Sequence, residues 1–461
     1  MLDVINPADG SLLARVETDD RDAIAAKAAA ARRAQPDWAQ RPLSERKQAL
    51  AAFRQRTIDE RERLARLLSQ EVGKPIAQSR NELAGLLPRI DFFIDAIDQV
   101  LAPQTVLDDA SAGMREEIGH EPLGTVANVS AWNYPYFVGA NVFVPALLAG
   151  NAVLYKPSEH ALLTGAEIAR LLHDSGVPPG VFQLVRGDGA AGAALLEQPL
   201  DGVFFTGSFS TGQRIAAAVA PRLTRLQLEL GGKDPVYVCD DADVAAAAAS
   251  LADGAMYNTG QSCCSVERIY VHRRVHDAFV AAFVAAVREF RIGDPLDEST
   301  YIGPLAREAQ LGVLESQIED AVSRGARVEC GGRRLPGPGH WFEPAVLTGV
   351  DHSMQIMRDE SFGPVIGIQP VAADDEAIER MNDTRYGLTA GVYTPDPMRA
   401  RRVLARVRSG SSYWNCCDRV SPRLPWTGWG DSGVGVTLSR YGIEAMTRLR
   451  AWHLRGGQAQ T

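Results

Sequence analysis

Long apolar runs, basic clusters and cysteines are all scarce in these 461 residues, and each scarcity excludes something. The most apolar long stretch, Val138 to Leu154, carries Asn141, Pro145, Gly150 and Asn151. It is too short and too interrupted to span a bilayer, so no membrane association is expected. The formal net charge is −9 with no block of Lys and Arg, which argues against DNA or RNA as a partner. The start, MLDVINPADG, has neither a charged nor an apolar leader segment, and no secretory signal is expected. Of six cysteines, four stand in adjacent pairs, Cys263-Cys264 and Cys416-Cys417. Neighbouring cysteines rarely close an unstrained disulfide. Free thiols in a reducing compartment, the cytoplasm, follow as the expectation. No internal repeat of roughly 20–50 residues is present, which excludes a solenoid.

What is present fits an α/β protein. The length exceeds what one core organises, so two or three domains are expected. Residues 19–35 and 44–72 have helical spacing, with Gly73-Lys74-Pro75 as a stop. From about 122 to 240 short apolar runs alternate with helical segments. Thr125–Ser130, Ala152–Tyr155, Val181–Val185 and Val203–Thr206 read as buried strands, separated by helices near 138–149, 160–175, 190–197 and 211–220. Such alternation predicts a parallel sheet covered on both faces. After Gly231-Gly232, a hinge candidate, it resumes: strands at Val236–Cys239, Arg268–Val271 and near Ala345–Leu347 flank helices at 243–257, 275–290 and 306–323. Residues 330–340 read as an exposed loop, and Glu444 to Arg455 as a ragged strand.

Two glycine turns follow predicted strands. Gly187 to Gly192 matches GxGxxG, and Gly207-Ser208 opens a second loop ending at Gly212. Either can present backbone N–H groups to a phosphate, and either can be a plain strand-to-helix turn. The acid that a dinucleotide fingerprint wants on the next strand is absent, whereas Lys156 and Glu159 follow the strand Ala152–Tyr155. A carboxylate there can take ribose hydroxyls.

Three polar residues stand in apolar or glycine-rich surroundings. Cys263 lies on a turn between a helix and a strand, where a thiol is exposed enough to act as a nucleophile. Cys264 shares the location, and residue type alone does not choose between them. Glu229 ends an alternating strand; among apolar neighbours its pKa would rise toward neutrality, as a general base requires, while on the other face it would be a solvated carboxylate. Asn133, just after Thr125–Ser130, can stabilise an oxyanion or cap the next helix.

Taken together, Trp132-Asn133-Tyr-Pro, Lys156-Pro-Ser-Glu159, Phe205-Thr-Gly-Ser208, Glu229-Leu-Gly-Gly-Lys233, Gly260-Gln-Ser-Cys263 and Glu360-Ser-Phe362-Gly-Pro resemble the aldehyde dehydrogenase superfamily. The likeness covers nearly the whole chain, in the family's order and spacing. It implies oxidation of an aldehyde to a carboxylic acid with NAD⁺ or NADP⁺. It makes Cys263 the nucleophile, Asn133 and the Cys263 backbone N–H the oxyanion hole, and Glu229 the general base. Cofactor contacts are implied at Trp132, Lys156, Glu159, Gly187, Gly207, Ser208, Leu230, Glu360 and Phe362, with the pyrophosphate near Gly207-Ser208. The implied substrate tunnel takes in Tyr134, Phe137, Val138, Asn141, Ser262, Cys264, Val420 and Trp426, and no metal is expected. Arg419 and Arg423 on the adjacent loop can grip a substrate carboxylate or be ordinary surface arginines.

The implied fold pairs a Rossmann-like cofactor domain (1–103 and 123–230) with a parallel-sheet catalytic domain (231–412). A small β oligomerisation element (104–122 and 446–458) would make a homodimer or homotetramer. Two departures stand out: Phe209-Ser210 occupies the place where many relatives have Thr-Glu, and Val436-Thr437 replaces a common Arg-Glu. The second removes a carboxylate that could assist proton transfer. Glu159 favours NAD⁺, because its charge repels a 2′-phosphate. A CoA-acylating relative and a catalytically silent member of the fold are the competing readings; Glu229 argues against the first, and the intact Cys263, Glu229 and Asn133 against the second.

Overall fold

The computed structural model describes residues 1–456. Two large sheets organise them. The first has six strands, in the order Gly433–Val434, Arg225–Glu229, Gly202–Thr206, Thr125–Ser130, Ala152–Pro157 and Phe182–Leu184. All its pairings are parallel except that of Gly433–Val434 with the end of Arg225–Glu229. The second has seven, in the order Arg327–Cys330, Ala345–Thr348, Val365–Val371, Val266–His272, Asp234–Val238, Thr389–Tyr393 and Ser411–Trp414. Only the outermost, Arg327–Cys330, is antiparallel. The fold is α/β with two parallel-sheet units.

The strands are continuous apolar runs because both faces are covered. Ala152–Pro157 and Val266–His272 are buried throughout. On one side of the first sheet, Phe143 from the helix Pro135–Leu148 and Ile168 from Leu162–Asp174 join one core; on the other, Ala28 and Ala31 from Arg21–Gln40 and Ile215 from Phe209–Val219 join another. Chain order in this sheet runs outward from Thr125–Ser130 in one direction, then returns to build Gly202–Thr206 and Arg225–Glu229 on its other side. That reversal opens a crevice at the strands' C-terminal ends, where open α/β sheets bind ligands.

A third, antiparallel sheet joins Gln104–Asp109, Met114–Pro122 and Thr447–Arg455, while Leu2–Ile5 and Leu12–Val16 form a separate hairpin. Of the expected oligomerisation element, residues 457 and 458 lie outside the described residues. Among the described residues no helix is long and apolar enough to cross a membrane.

Two expectations change. The segment 44–72 is two helices, Leu43–Asp59 and Arg61–Val72, separated at Glu60, whose φ of −103° and ψ of 8° leave the helical region. The stop at Gly73 is an αL C-cap (φ 79°). Beyond it Ile76–Leu101 forms a 26-residue helix, for which no helix is expected from the sequence. Its buried face mixes Leu83, Leu86 and Ile90 with Gln78, Glu82 and Arg89, so hydrophobic periodicity alone understates it.

Candidate active site

Three backbone segments meet at the crevice. Asn133 follows the strand Thr125–Ser130, Glu229 ends Arg225–Glu229, and Cys263 sits on the turn before Val266–His272. All three line one cavity of about 390 Å³. The eight expected tunnel residues line it as well, together with Gln78, Asn81, Glu82, Arg89, Asp253, Tyr257, Asp418 and Arg419. Arg423 does not; it is exposed on the loop beyond.

The cysteine turn is built from an unusual backbone. Asn258 (φ 52°), Thr259 (φ 57°) and Gly260 (φ 70°) are three successive left-handed residues. A β-branched threonine there is strained and needs local support. Thr259 Oγ1 exchanges bonds with the carbonyl and N–H of Gly303 at 3.1 and 3.0 Å, and Gln78 Oε1 accepts from the Asn258 N–H at 2.8 Å. Gly260 has no freedom to be larger: a Cβ would stand 2.3 Å from the Gly363 carbonyl oxygen. Gln261 closes the turn, its Nε2 donating to the Asn258 carbonyl at 3.1 Å and its Oε1 accepting from the Ala306 N–H at 2.9 Å.

This scaffold separates the adjacent thiols. Cys263 is partly exposed to the cavity, whereas Cys264 is buried. The Cys264 thiol donates to Asp418 Oδ1 at 3.0 Å, and its contact with Cys263 together with burial pushes its pKa well up. It is held as a protonated neighbour. The Asn133 amide donates one N–H to the Gln261 carbonyl at 3.2 Å, fixing the amide plane beside the cysteine turn and leaving its second N–H. Asn258 ties the two together, donating to the carbonyls of Asn133 and Gln261, both at 3.1 Å.

Glu229 is buried, which settles which face of its strand it occupies. Thr206 Oγ1 donates to one carboxylate oxygen and Thr437 Oγ1 to the other, each at 3.0 Å. Burial raises its pKa to about 6; the two hydroxyls and the nearby Arg89 oppose the rise. Thr437 belongs to the Val436-Thr437 departure. It reaches Glu229 because Gly433–Val434 pairs with the strand end and Trp426 and Thr437 bond reciprocally.

Of the expected cofactor contacts, Trp132, Lys156, Gly187, Gly207 and Leu230 stand at or just beyond the C-terminal ends of strands of the first sheet. Lys156 is buried at its strand end, its ammonium bonded to the Pro157 carbonyl at 3.1 Å; Glu159 stands 4.0 Å from it with a side chain 41% exposed. The two glycine loops differ in what already fills them. At 187–192 the carboxylate of Asp188 accepts the Ala190 N–H and caps the helix, and Gly187 (φ 149°) is needed because a Cβ would meet Ala191 at 2.5 Å. Gly207-Ser208 instead opens the helix Phe209–Val219, which has no acid in its first turn and no side-chain cap. The departure at Phe209-Ser210 is simply its first helical turn. Leu230 packs under that helix, filling the space a Cβ on Gly212 would take.

Glu360 is partly buried against Gly231-Gly232: its Oε1 accepts from the Gly232 N–H at 3.1 Å, and a Cβ on Gly231 would fall 2.3 Å from the carboxylate. Burial, then the neighbouring Glu267, raises its pKa to about 8. The next residues are set by a buried ion pair that is silent in the sequence. Lys233 Nζ bonds Glu267 at 2.6 Å and Ser361 Oγ at 2.9 Å, and Glu267 accepts the N–H groups of Ser361 and Phe362. Phe362 (φ 48°) thereby meets Trp132 edge-on, with ring centres 5.5 Å apart.

A partly exposed thiol, a buried carboxylate and an amide donor thus line one cavity. The family model described as "Aldehyde dehydrogenase family" matches residues 1–452. The 3,6-anhydro-alpha-L-galactose dehydrogenase of Streptomyces coelicolor is 38% identical, over 98% of this chain and 93% of that one. The betaine aldehyde dehydrogenase of Brucella anthropi is 36% identical, over 94% and 89%. A solved structure of 3,6-anhydro-L-galactose dehydrogenase, in complex with NADP, superposes with a TM-score of 0.94 at 34% identity, covering 98% of this chain and 96% of its own. The chain is an oxidoreductase of the aldehyde dehydrogenase family.

Proposed function

We propose that the protein oxidises an aldehyde to the corresponding carboxylic acid with a nicotinamide dinucleotide, through a thioester on Cys263. The observation that carries this is the placement of Cys263, Asn133 and Glu229 around one cavity, with the competing thiol Cys264 buried and donating to Asp418.

The residues fit a dinucleotide. Lys156 and Glu159 stand at a strand end suited to the adenosine ribose, and the unfilled helix start at Gly207-Ser208 suits a pyrophosphate. Glu360, with one oxygen on Gly232, has the other for ribose hydroxyls, and Phe362 and Trp132 form an aromatic edge for a ring. When bound, the cofactor supplies the hydride acceptor. The carboxylate of Glu159 favours NAD⁺ over NADP⁺.

The rest is done by the protein. The Cys263 thiol gives its proton to solvent, and the thiolate attacks the carbonyl carbon; the free N–H of Asn133 and the Cys263 backbone N–H hold the oxyanion. Hydride loss leaves a thioester. Glu229, poised near pH 6, then takes a proton from water, which hydrolyses it. The six-stranded sheet then serves as cofactor domain and the seven-stranded sheet as catalytic domain. The three-stranded sheet exposes Leu449, Trp452 and Leu454 along its edge strand, a surface suited to a second copy of the chain. Cys263→Ala is expected to abolish cofactor reduction, followed by the absorbance of the reduced nicotinamide. Full steady-state activity in that variant overturns the assignment.

A further inference from the structure

The two donors of the proposed oxyanion hole come from different sheets. Asn133 follows Thr125–Ser130 in the six-stranded sheet, and Cys263 precedes Val266–His272 in the seven-stranded one. The helix Ile76–Leu101 reaches both. It packs into the core of the first sheet through Leu83, Leu86 and Ile90, while at its start the Ile76 N–H donates to the Pro295 carbonyl at 2.7 Å. Gln78 and Glu82 are one helical turn apart on the same face, 4% and 2% exposed. Gln78 Oε1 accepts from the Asn258 N–H at 2.8 Å, and its Nε2 donates to the Tyr301 carbonyl at 3.0 Å. One oxygen of Glu82 accepts from the Tyr136 N–H at 2.9 Å, and the other takes the buried ammonium of Lys74. That ammonium lies 3.7 Å from the centre of the Tyr134 ring. Both side chains line the cavity, yet each polar atom they carry is already bonded within the protein.

We infer that Gln78 and Glu82 are positioning residues that brace the oxyanion hole from both sides, holding Asn133 in register with the Cys263 N–H. This rests on the proposed attack by Cys263. The Tyr136 N–H belongs to the first turn of the helix Pro135–Leu148, where an N-cap side chain ordinarily accepts. The N-cap is Tyr134, which makes no side-chain capping bond among the described residues. Glu82 supplies the missing acceptor from another helix, and so fixes the chain just beyond Asn133. Gln78 does the same for the cysteine turn at Asn258, whose own amide ties the carbonyls of Asn133 and Gln261 together. Because both bonds start from one helix face, sliding one sheet against the other breaks one of them. Lys74 neutralises Glu82, so the acceptor is held there without an unpaired buried charge.

Cleavage of p-nitrophenyl acetate reads the hole without a cofactor: the thiolate bonds the ester carbon, p-nitrophenolate leaves, and water then frees acetate. The test compares kcat/KM for this ester in the wild type, Gln78→Met, Lys74→Met/Glu82→Leu and Lys74→Met/Glu82→Gln, each with and without Asn133→Ala. The double variants remove both buried charges together, so neither is left unpaired. Gln78→Met and Lys74→Met/Glu82→Leu should each lose about 10–100-fold, less than the outright removal of an oxyanion donor at about 10²–10³. Lys74→Met/Glu82→Gln keeps an acceptor for the Tyr136 N–H and should recover most of its loss. In the Asn133→Ala background every loss should shrink to about twofold, because the group being positioned is gone. Losses of equal size with and without Asn133 overturn the brace, and so does a full rate in both Gln78→Met and Lys74→Met/Glu82→Leu. Gln78→Met, close to glutamine in volume, carries the test alone if the double variants do not fold. An Asn133→Ala protein as fast as the wild type sinks the oxyanion hole itself, and the brace with it. A wild type that cleaves the ester but reduces no cofactor with any aldehyde sinks the oxidation and spares the brace.

Discussion

Two carboxylates flank the same pair of glycines, and the structure treats them differently. Glu229 lies two residues before Gly231, and Glu360 folds back against Gly231 and Gly232 from the second sheet. Desolvation raises both pKa values. Glu229 has a threonine hydroxyl on each oxygen and Arg89 nearby, and stops at about 6; Glu360 has one backbone N–H, faces Glu267, and reaches about 8. Burial sets the direction, and the donors within reach set where it ends. At neutral pH the first is mostly ionised and available as a base. The second is mostly protonated and able to donate as well as accept.

The comparison breaks hardest at Glu229 itself. Glu229→Gln is expected to lower steady-state turnover by about 10²–10⁴-fold, the usual worth of a general base. An initial burst of reduced cofactor should survive, because acylation needs Cys263 and Asn133 only. Stopped-flow absorbance separates the two phases; loss of the burst would show that Glu229 serves the first half-reaction. In the wild type, deacylation should rise as pH climbs through about 6 and level above it. Removing one hydroxyl, in Thr437→Val, takes away a donor that favours the ionised form. The inflexion should then move up by about one pH unit. An unchanged pH–rate profile would mean that Thr437 only fills space.

Glu360 gives a smaller effect on a different parameter. Glu360→Gln keeps the oxygen that meets Gly232 and resembles the protonated acid already present at neutral pH. The cofactor KM should therefore rise by only about two- to fivefold, with kcat nearly kept, the loss of roughly one weak hydrogen bond. Gly231→Ala should cost more than Glu360→Gln, because its Cβ would displace the carboxylate and its surroundings together. A larger cofactor defect in Glu360→Gln than in Gly231→Ala would reverse this reading.

Much of this was legible in the sequence wherever the signal is local. The strand Thr125–Ser130 has the bounds that its apolar run and turn residues predict, and Gly73 stops its helix as a C-cap should. Motifs likewise mark Cys263, Glu229 and Asn133. What is not legible is the set of partners brought in from far along the chain. Thr437 meets Glu229 across 208 residues, Glu267 holds Phe362 across 95, and Gln78 steadies Asn258 across 180. Arg89 escapes for a related reason. Its helix buries Gln78, Glu82 and Arg89 on the cavity face, so polar residues fall where a helix pattern expects apolar ones. Residue type alone does not separate Cys263 from Cys264, and the motif names Cys263; what only the structure adds is that Cys264 is buried and bonded to Asp418.

The smallest expected effect concerns stability, and it separates the two carboxylates without any substrate. A carboxyl whose folded pKa lies above its ordinary value of 4.5 binds a proton in the folded state that the unfolded chain has released. Its contribution to stability is full below about 4.5 and is lost as pH rises through the folded pKa. For Glu360 that loss extends to about pH 8; for Glu229 it ends near 6. Glutamine cannot ionise and escapes the loss. The melting temperature of Glu360→Gln, relative to wild type, should therefore climb between pH 5 and about pH 8, by roughly 2 °C for each kcal/mol recovered in a chain this long. The same difference for Glu229→Gln should climb only to about pH 6 and then stay flat, offset downward by whatever the two threonine hydroxyls lose. Scanning calorimetry of the cofactor-free variants at closely spaced pH values reads both windows. Two curves that level at the same pH would show that the threonines and Glu267 do not set these carboxylates apart.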